Sequence, residues 1–236
     1  MKHTKSSPLK RRMDKKGSNA EFHKVQDDIL NSSLEYIASP AESRLEYHGI
    51  IGEDGYIISK HKKVVALENM IGKYAERFND GIYLNMYLSF GNKHYFRFPY
   101  DGTVEYIQVN NGEGHPVVIG FDNIAVKIGL NKILGDMRMF AKAIKKNATI
   151  GIIINSGKFS YAMIAVGSMN VNYIAVECEV GKKYRKGDYA GHFAIGSTII
   201  LCFDKSFRKN SKLLIEDRDK KDIGENIIKI NGIYKK

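Results

Sequence analysis

Between Thr149 and Phe203 the chain carries apolar, β-branched runs separated by short polar turns: Thr149–Ile154, Tyr161–Val166, Tyr173–Val180 and, after the basic, glycine-bearing turn Gly181–Asp188, Gly191–Phe203. Runs of this kind are too short for helices of ordinary length, and they predict strands of a buried sheet. Alternating stretches at Ile82–Phe90 and Val104–Val109 continue the pattern toward the N-terminus and flank a loop of unusual composition, Gly91–Gly102, and Leu45–Ile58 reads as strands and turns. Helical spacing lies mostly earlier. Phe22, Val25, Ile29, Leu34 and Ile37 recur at helical intervals through Ala20–Tyr36, and Ser39-Pro40 closes that segment because the residue before proline disfavours helix. Val64–Phe78 reads as a second helix broken near Gly72, Asn123–Leu134 as a third, and a short strand is predicted at Asn226–Ile230. The expected fold is α+β and β-rich, a single domain with helices concentrated in the N-terminal half.

With 236 residues, 43% of them hydrophobic, one substantial core can be buried. The net charge of +11 is placed unevenly. Residues 1–16 hold Lys2, Lys5, Lys10, Arg11, Arg12, Lys15 and Lys16 against the single acid Asp14. Residues 1–19 therefore read as a basic, disordered tail in front of a domain at 20–236. Two readings of the tail stay open: a solvated terminus, or a patch (residues 2–16) attracted to an anionic membrane surface. No motif of a nucleic-acid-binding fold accompanies it, so no nucleic-acid partner is expected. No apolar run reaches the ~18 residues of a membrane span, and the start lacks a signal-peptide pattern. Cys178 and Cys202 sit in apolar, strand-like segments without ligand spacing, and the seven histidines are scattered. These features predict core cysteines, no metal, and a cytoplasmic protein peripherally associated with a membrane.

Gly196-Ser197-Thr198 stands between Phe193 and the apolar run Ile199-Ile200-Leu201-Cys202-Phe203. By itself the tripeptide is a small-residue turn entering a buried strand. Its setting is more specific. The segment Lys186-Gly187-Asp188-Tyr189-Ala190-Gly191-His192-Phe193-Ala194-Ile195-Gly196-Ser197-Thr198 resembles the cleavage segment of the phosphatidylserine decarboxylase proenzymes, which runs lysine-glycine, an acid, glycine-aromatic, phenylalanine, then glycine-serine-threonine. Other segments resemble that family in the right order: Ser39-Pro40-Ala41-Glu42-Ser43-Arg44, Phe98-Pro99-Tyr100-Asp101-Gly102-Thr103-Val104, Leu134-Gly135-Asp136-Met137-Arg138-Met139-Phe140, and Ile164-Ala165-Val166-Gly167-Ser168-Met169-Asn170-Val171. The resemblance covers about residues 38–204.

The resemblance implies self-cleavage between Gly196 and Ser197. The Ser197 hydroxyl attacks the Gly196 carbonyl, the resulting ester eliminates, and Ser197 becomes a covalent pyruvoyl group, the cofactor of an amine-substrate decarboxylase. The substrate implied is phosphatidylserine, giving phosphatidylethanolamine and carbon dioxide. A free amino acid as substrate, an uncut lipid- or protein-binding relative, and an oligomer all stay open. In the family a histidine and an aspartate complete a triad with the serine. Laid without a gap, His94 takes the first histidine of a histidine-x-x-histidine-x-proline pattern and Arg97 takes the second, which is the triad member. Arginine stays protonated and cannot serve as a base. The aspartate position falls on Glu42, with Asp54 as a rival placement, and His94 and His192 are the substitutes for the missing base. The aromatics Tyr95, Phe96, Phe98 and Tyr100 read either as a path for acyl chains or as core.

Overall fold

A computed structural model describes residues 2–3, 27–30, 33–59, 62–89, 91–112, 146–167, 173–194 and 197–231. In chain order its elements are β1 (Lys2–His3), β2 (Tyr36–Ala38), β3 (Ser43–Ile50), β4 (Tyr56–Ser59), β5 (Lys62–Ala66), α1 (Glu68–Ile71), a 3-10 segment (Gly72–Phe78), β6 (Ile82–Leu88), β7 (Tyr95–Arg97), β8 (Gly102–Asn110), β9 (Thr149–Asn155), β10 (Ser160–Val166), β11 (Ile174–Val176), β12 (Lys183–Tyr184), β13 (Tyr189–Phe193), β14 (Ser197–Phe203), α2 (Lys205–Lys209), β15 (Ser211–Leu213), β16 (Lys220–Lys221) and β17 (Asn226–Ile230). The protein is β-rich, as the apolar runs require.

An eight-stranded antiparallel sheet forms the centre, in the order β12-β8-β9-β10-β14-β6-β3-β16. A four-stranded sheet, β1-β11-β13-β7, packs over one of its faces, and a three-stranded sheet, β15-β17-β2, joins the same apolar cluster. Alternation explains the layering. Leu84, Met86, Leu88, Ile199 and Leu201 meet Phe96, Phe193 and Ile174 on one side of the central sheet. On the other side Tyr83, Ile164, Ile200 and Cys202 pack under Ile57, Val65, Met70, Ile71 and Phe78, supplied by the β4–β5 hairpin and the helical segment after it.

Several sequence expectations need correction. Residues 27–30 are helical, but Tyr36 already belongs to β2, because a turn at Ser33 redirects the chain: the Glu35 amide donates to the Ser33 hydroxyl at 3.1 Å. The helix expected from Val64 begins only at Glu68, since residues 62–66 pair with β4 and the β-branched pair at 64–65 suits a strand. Gly72 does break the helix, with φ of 59°. The segment 91–102 is not wholly loop, because Tyr95–Arg97 forms β7 against β13. The strand expected over Tyr173–Val180 is limited to Ile174–Val176. Helix α2 follows Asp204, whose carboxylate accepts the Phe207 amide at 2.9 Å, and it lies beyond Phe203, where only the short strand at Asn226–Ile230 was expected. The helix expected at Asn123–Leu134 and most of the basic segment 1–19 fall outside the described residues. Lys2 and His3 themselves pair with Val176 and Ala175.

The aromatic question is answered by burial. Phe96, Phe98 and Tyr100 are core residues and Tyr95 is half-buried. Phe98 stacks on Tyr184 and Phe96 tilts against Phe193, so they hold the two sheets together. Both cysteines are buried, and burial raises the Cys178 thiol to about 11 and pushes Cys202 further up.

Candidate functional site

The chain passes from one sheet to the other immediately before Ser197. β13 belongs to the four-stranded sheet and β14 to the eight-stranded one. Residues 195 and 196, Gly196 among them, lie in that link and outside the described residues. Ser197 opens β14 opposite Leu88, the last residue of β6. The approach strand is tightly packed: a Cβ on Gly191 would lie 2.2 Å from the Ala175 carbonyl oxygen and 2.6 Å from the Phe96 ring, so glycine is what lets β13 sit between β11 and β7.

From Leu88 a run of contacts leads to Phe193, four residues before the serine. The Ser89 amide, next in the chain, donates to Asn92 Oδ1 at 2.8 Å. The Asn92 side-chain amide donates to Glu42 Oε1 at 2.8 Å, and the Lys93 backbone amide donates to Glu42 Oε2 at 3.0 Å. His94 follows Lys93, and its carbonyl accepts the Phe193 amide at 2.9 Å. Phe193 precedes Ser197 by four residues, at most about 14 Å of extended chain. Glu42, His94 and Ser197 are therefore brought to one end of the central sheet. Asn92 and the Lys93 amide, which fix the carboxylate, were not singled out from sequence; the only signal was their place in an unusual loop.

The other candidates stand elsewhere. β13 runs toward Ser197 and β7 runs away from it, so Arg97 pairs with Tyr189, at the far end of β13 from the serine. Its side chain is 2% exposed, its Nη1 donates to the Gly187 carbonyl at 2.8 Å and its backbone amide to the Pro40 carbonyl at 2.9 Å. Burial lowers its pKa, with Tyr189 and Asp188 opposing the shift. Arg97 thus ties β7 to the basic turn. Asp54 lies in the turn after β3, which closes onto Gly81, just ahead of β6. Ser197 is at the other end of that seven-residue strand, about 20 Å away. Asp54 is exposed and accepts the Tyr56 amide at 3.4 Å. His192 pairs with Tyr95 and its Nδ1 lies 2.6 Å from the Tyr189 hydroxyl. Because the neighbouring Phe193 enters the core, His192 occupies the opposite face of the four-stranded sheet, beside Tyr173.

Two polar residues lie on the face of the central sheet that Ile200 and Cys202 share. Thr198 and Asn85 are fully buried, and neither the Thr198 hydroxyl nor either side-chain polar atom of Asn85 has a hydrogen-bond partner. Each such group costs about 1–3 kcal/mol if left unsatisfied.

A scaffold suited to making a pyruvoyl end from Ser197 must hold both sides of the break. β14 is held by β6 along its whole length and by β10 from Thr198 onward, and β13 by β7 and β11. The residues present fit that requirement.

A family model described as phosphatidylserine decarboxylase matches residues 22–229. Similar proteins named phosphatidylserine decarboxylase proenzyme include that of Bacillus subtilis (strain 168), 27% identical over 184 residues, covering 78% of this chain and 64% of the relative. That of Geobacillus sp. (strain WCH70) is 24% identical over 178 residues, covering 75% and 62%. That of Anoxybacillus flavithermus (strain DSM 21510 / WK1) is 28% identical over 178 residues, covering 75% and 61%. The matched region therefore spans less than two thirds of the length of each of these relatives.

Proposed function

Because this chain belongs to the phosphatidylserine decarboxylase family, we propose that it is a proenzyme that cuts itself between Gly196 and Ser197 and then decarboxylates phosphatidylserine to phosphatidylethanolamine. The observation that carries this reading is the circuit from Ser197 through Leu88, Ser89, Asn92, Glu42 and Lys93 to His94. It brings the Glu42 carboxylate and the His94 backbone toward the serine's end of the sheet, which supports this reading, while Arg97 donates to the Gly187 carbonyl.

In this mechanism His94 is the base that takes the Ser197 hydroxyl proton, and Glu42 fixes the loop that carries His94. The hydroxyl oxygen adds to the Gly196 carbonyl carbon, the C–N bond of the peptide breaks, and the proton passes to the freed Ser197 nitrogen. The ester then eliminates to give a Gly196 carboxylate and a dehydroalanyl Ser197 end. A pyruvoyl group made from Ser197 supplies the electron sink that decarboxylation requires. In the mature enzyme His94, no longer occupied with the hydroxyl, is placed to return a proton at the site where carbon dioxide leaves. The basic segment 2–16 draws the protein to the anionic surface where its substrate resides.

A second reading, an uncut relative that binds lipid or protein, is favoured by Arg97 at the position of the family's triad histidine. Intact mass decides between them. The purified wild type is expected as two fragments, residues 1–196 and 197–236, the latter with a blocked N-terminus, and Ser197→Ala as one chain. A wild type that stays at 26.7 kDa with a free serine overturns the enzyme reading. Phosphatidylserine and free serine assayed side by side separate the lipid enzyme from an amino-acid decarboxylase.

A further inference from the structure

The connection from β6 to β7 touches the chain on both sides of position 197. It leaves β6 at Leu88, which lies opposite Ser197, and it enters β7 past His94, whose carbonyl accepts the Phe193 amide at 2.9 Å. Two side chains shape it. Asn92 closes a turn: its backbone amide donates to the Ser89 carbonyl at 3.0 Å, and its Oδ1 accepts the Ser89 amide at 2.8 Å and the Ser89 hydroxyl. Its Nδ2 donates to Glu42 Oε1 at 2.8 Å, while Glu42 Oε2 accepts the Lys93 amide at 3.0 Å. Both oxygens of Glu42, which stands immediately before β3, are thus engaged with this connection, and neither of these partners is an imidazole. Residue 42 is the one that the family resemblance gives to the acid of a triad. Here its carboxylate holds a side-chain amide and a backbone amide, one residue before His94. Hydrogen bonds to an ionised acceptor are about twice as strong as neutral ones.

We propose that Asn92 is a positioning residue for self-cleavage, and that with Glu42 it forms a clasp that closes only when the pair carries a single negative charge. This rests on the self-cleavage reading above. The clasp fixes the backbone from which His94 projects. Donor and acceptor roles give the charge rule. Ser89 and Lys93 each present an N–H to the pair, so residues 92 and 42 must each turn an oxygen outward, and between them one N–H must meet one oxygen. An amide and a carboxylate meet both demands. Two amides bring two donors together, either between the side chains or at Lys93. Two carboxylates bring two acceptors and two charges together. An exchanged pair meets the demands again: a glutamine at 42 accepts the Lys93 amide and donates to an aspartate at 92, whose other oxygen accepts from Ser89. The charged groups on the elements beside Glu42 are Lys93 and His94 of the connection itself, Arg44, whose guanidinium is held by Glu46, and Lys220 and Lys221 of β16, which pair with Arg44 and Ser43.

The test uses the full chain as wild type, Glu42→Gln, Asn92→Asp and the double variant Glu42→Gln/Asn92→Asp, with self-cleavage followed as loss of the intact chain on gels. At pH 8 each single variant is expected to cut about 10- to 10²-fold more slowly than wild type, and the double variant to recover most of that loss. Compared with wild type at the same pH, the deficit of Asn92→Asp is expected to narrow from pH 8 to pH 5, because adjacent carboxylates come to share a proton as the pH falls. The deficit of Glu42→Gln, whose pair carries no charge, is expected to stay. A double variant as slow as the single ones overturns the proposal, as does wild-type cutting by both single variants; an Asn92→Asp deficit equal at the two pH values overturns the charge rule. A second readout needs no cutting. In the Ser197→Ala background each single change is expected to lower the urea midpoint of unfolding and the two together to return it, whereas additive losses overturn the clasp. If the wild type never cuts, the self-cleavage reading falls, while these midpoints still decide whether the clasp exists.

Discussion

At the scale of single residues, His94 and Arg97 separate two jobs that their spacing in the sequence left entangled. Strand direction carries His94 toward Ser197 and Arg97 away from it, because β7 and β13 are antiparallel. Arg97 is buried and donates to a backbone carbonyl, so its removal leaves the Gly187 oxygen short of a partner. We therefore expect Arg97→His to lower stability by about 1.5–3 kcal/mol in denaturant titrations without speeding self-cleavage. His94→Ala is expected to slow cutting by about 10²–10⁴-fold, followed as the loss of intact chain on gels. Acceleration by Arg97→His would instead return the base role to position 97. Glu42, chosen over Asp54 on sequence context, lies at the serine's end of β6, and Asp54 lies at the other. That distinction was legible only in part, since the run Ser39-Pro40-Ala41 marks the segment and says nothing of where it docks.

At the scale of elements, the basic turn before β13 works as a latch. Lys186 is 2% exposed, and its Nζ donates to the Ser33 carbonyl at 3.0 Å and the Tyr36 carbonyl at 2.9 Å, tying the start of β2 to the cleavage segment. Burial lowers its pKa to about 8, and Asp101, the opposing influence, does not restore it. Between about pH 8 and the ordinary lysine value of 10.5 the unfolded chain holds a proton that the folded protein has shed. Stability linked to this group therefore rises with pH across that window. The measurement is the difference in unfolding free energy between wild type and Lys186→Met, which is expected to shift in favour of wild type from pH 8 to 10. A difference that does not change with pH would show that Lys186 is ordinarily charged in the fold. The turn was read from sequence as basic and glycine-bounded; that one of its lysines is buried depends on which carbonyls face it.

At the scale of the whole molecule, the net charge of +11 is concentrated in the first sixteen residues. Since Lys2 and His3 add a strand to β11, deleting the segment would also strip that edge. The cleaner test changes Lys5, Lys10, Arg11, Arg12, Lys15 and Lys16 to glutamine. At roughly 1 kcal/mol per basic residue near an anionic surface, binding to phosphatidylserine-containing vesicles is expected to fall by orders of magnitude. The deficit should shrink as the Debye length contracts from about 10 Å at 0.1 M salt to about 3 Å at 1 M. Sedimentation with vesicles that ignores both changes would assign the anchoring to another surface. No helix among the described residues is long and apolar enough to cross a membrane. Periodicity alone determined that this is a strand-dominated chain, and β6, β8, β9, β10, β14 and β17 lie where their apolar runs predicted, because alternation and burial are local properties of a run. The family was likewise legible, since the segment 186–198 and the others like it stand in the family's order along the chain. Sequence could not decide that Glu42 docks at the serine's end of β6, that Arg97 is buried against the Gly187 carbonyl, or that Asn85 lies diagonal to Thr198. Those pairings join residues 50 to 113 positions apart, and register between strands is fixed only when the sheets close around a shared core.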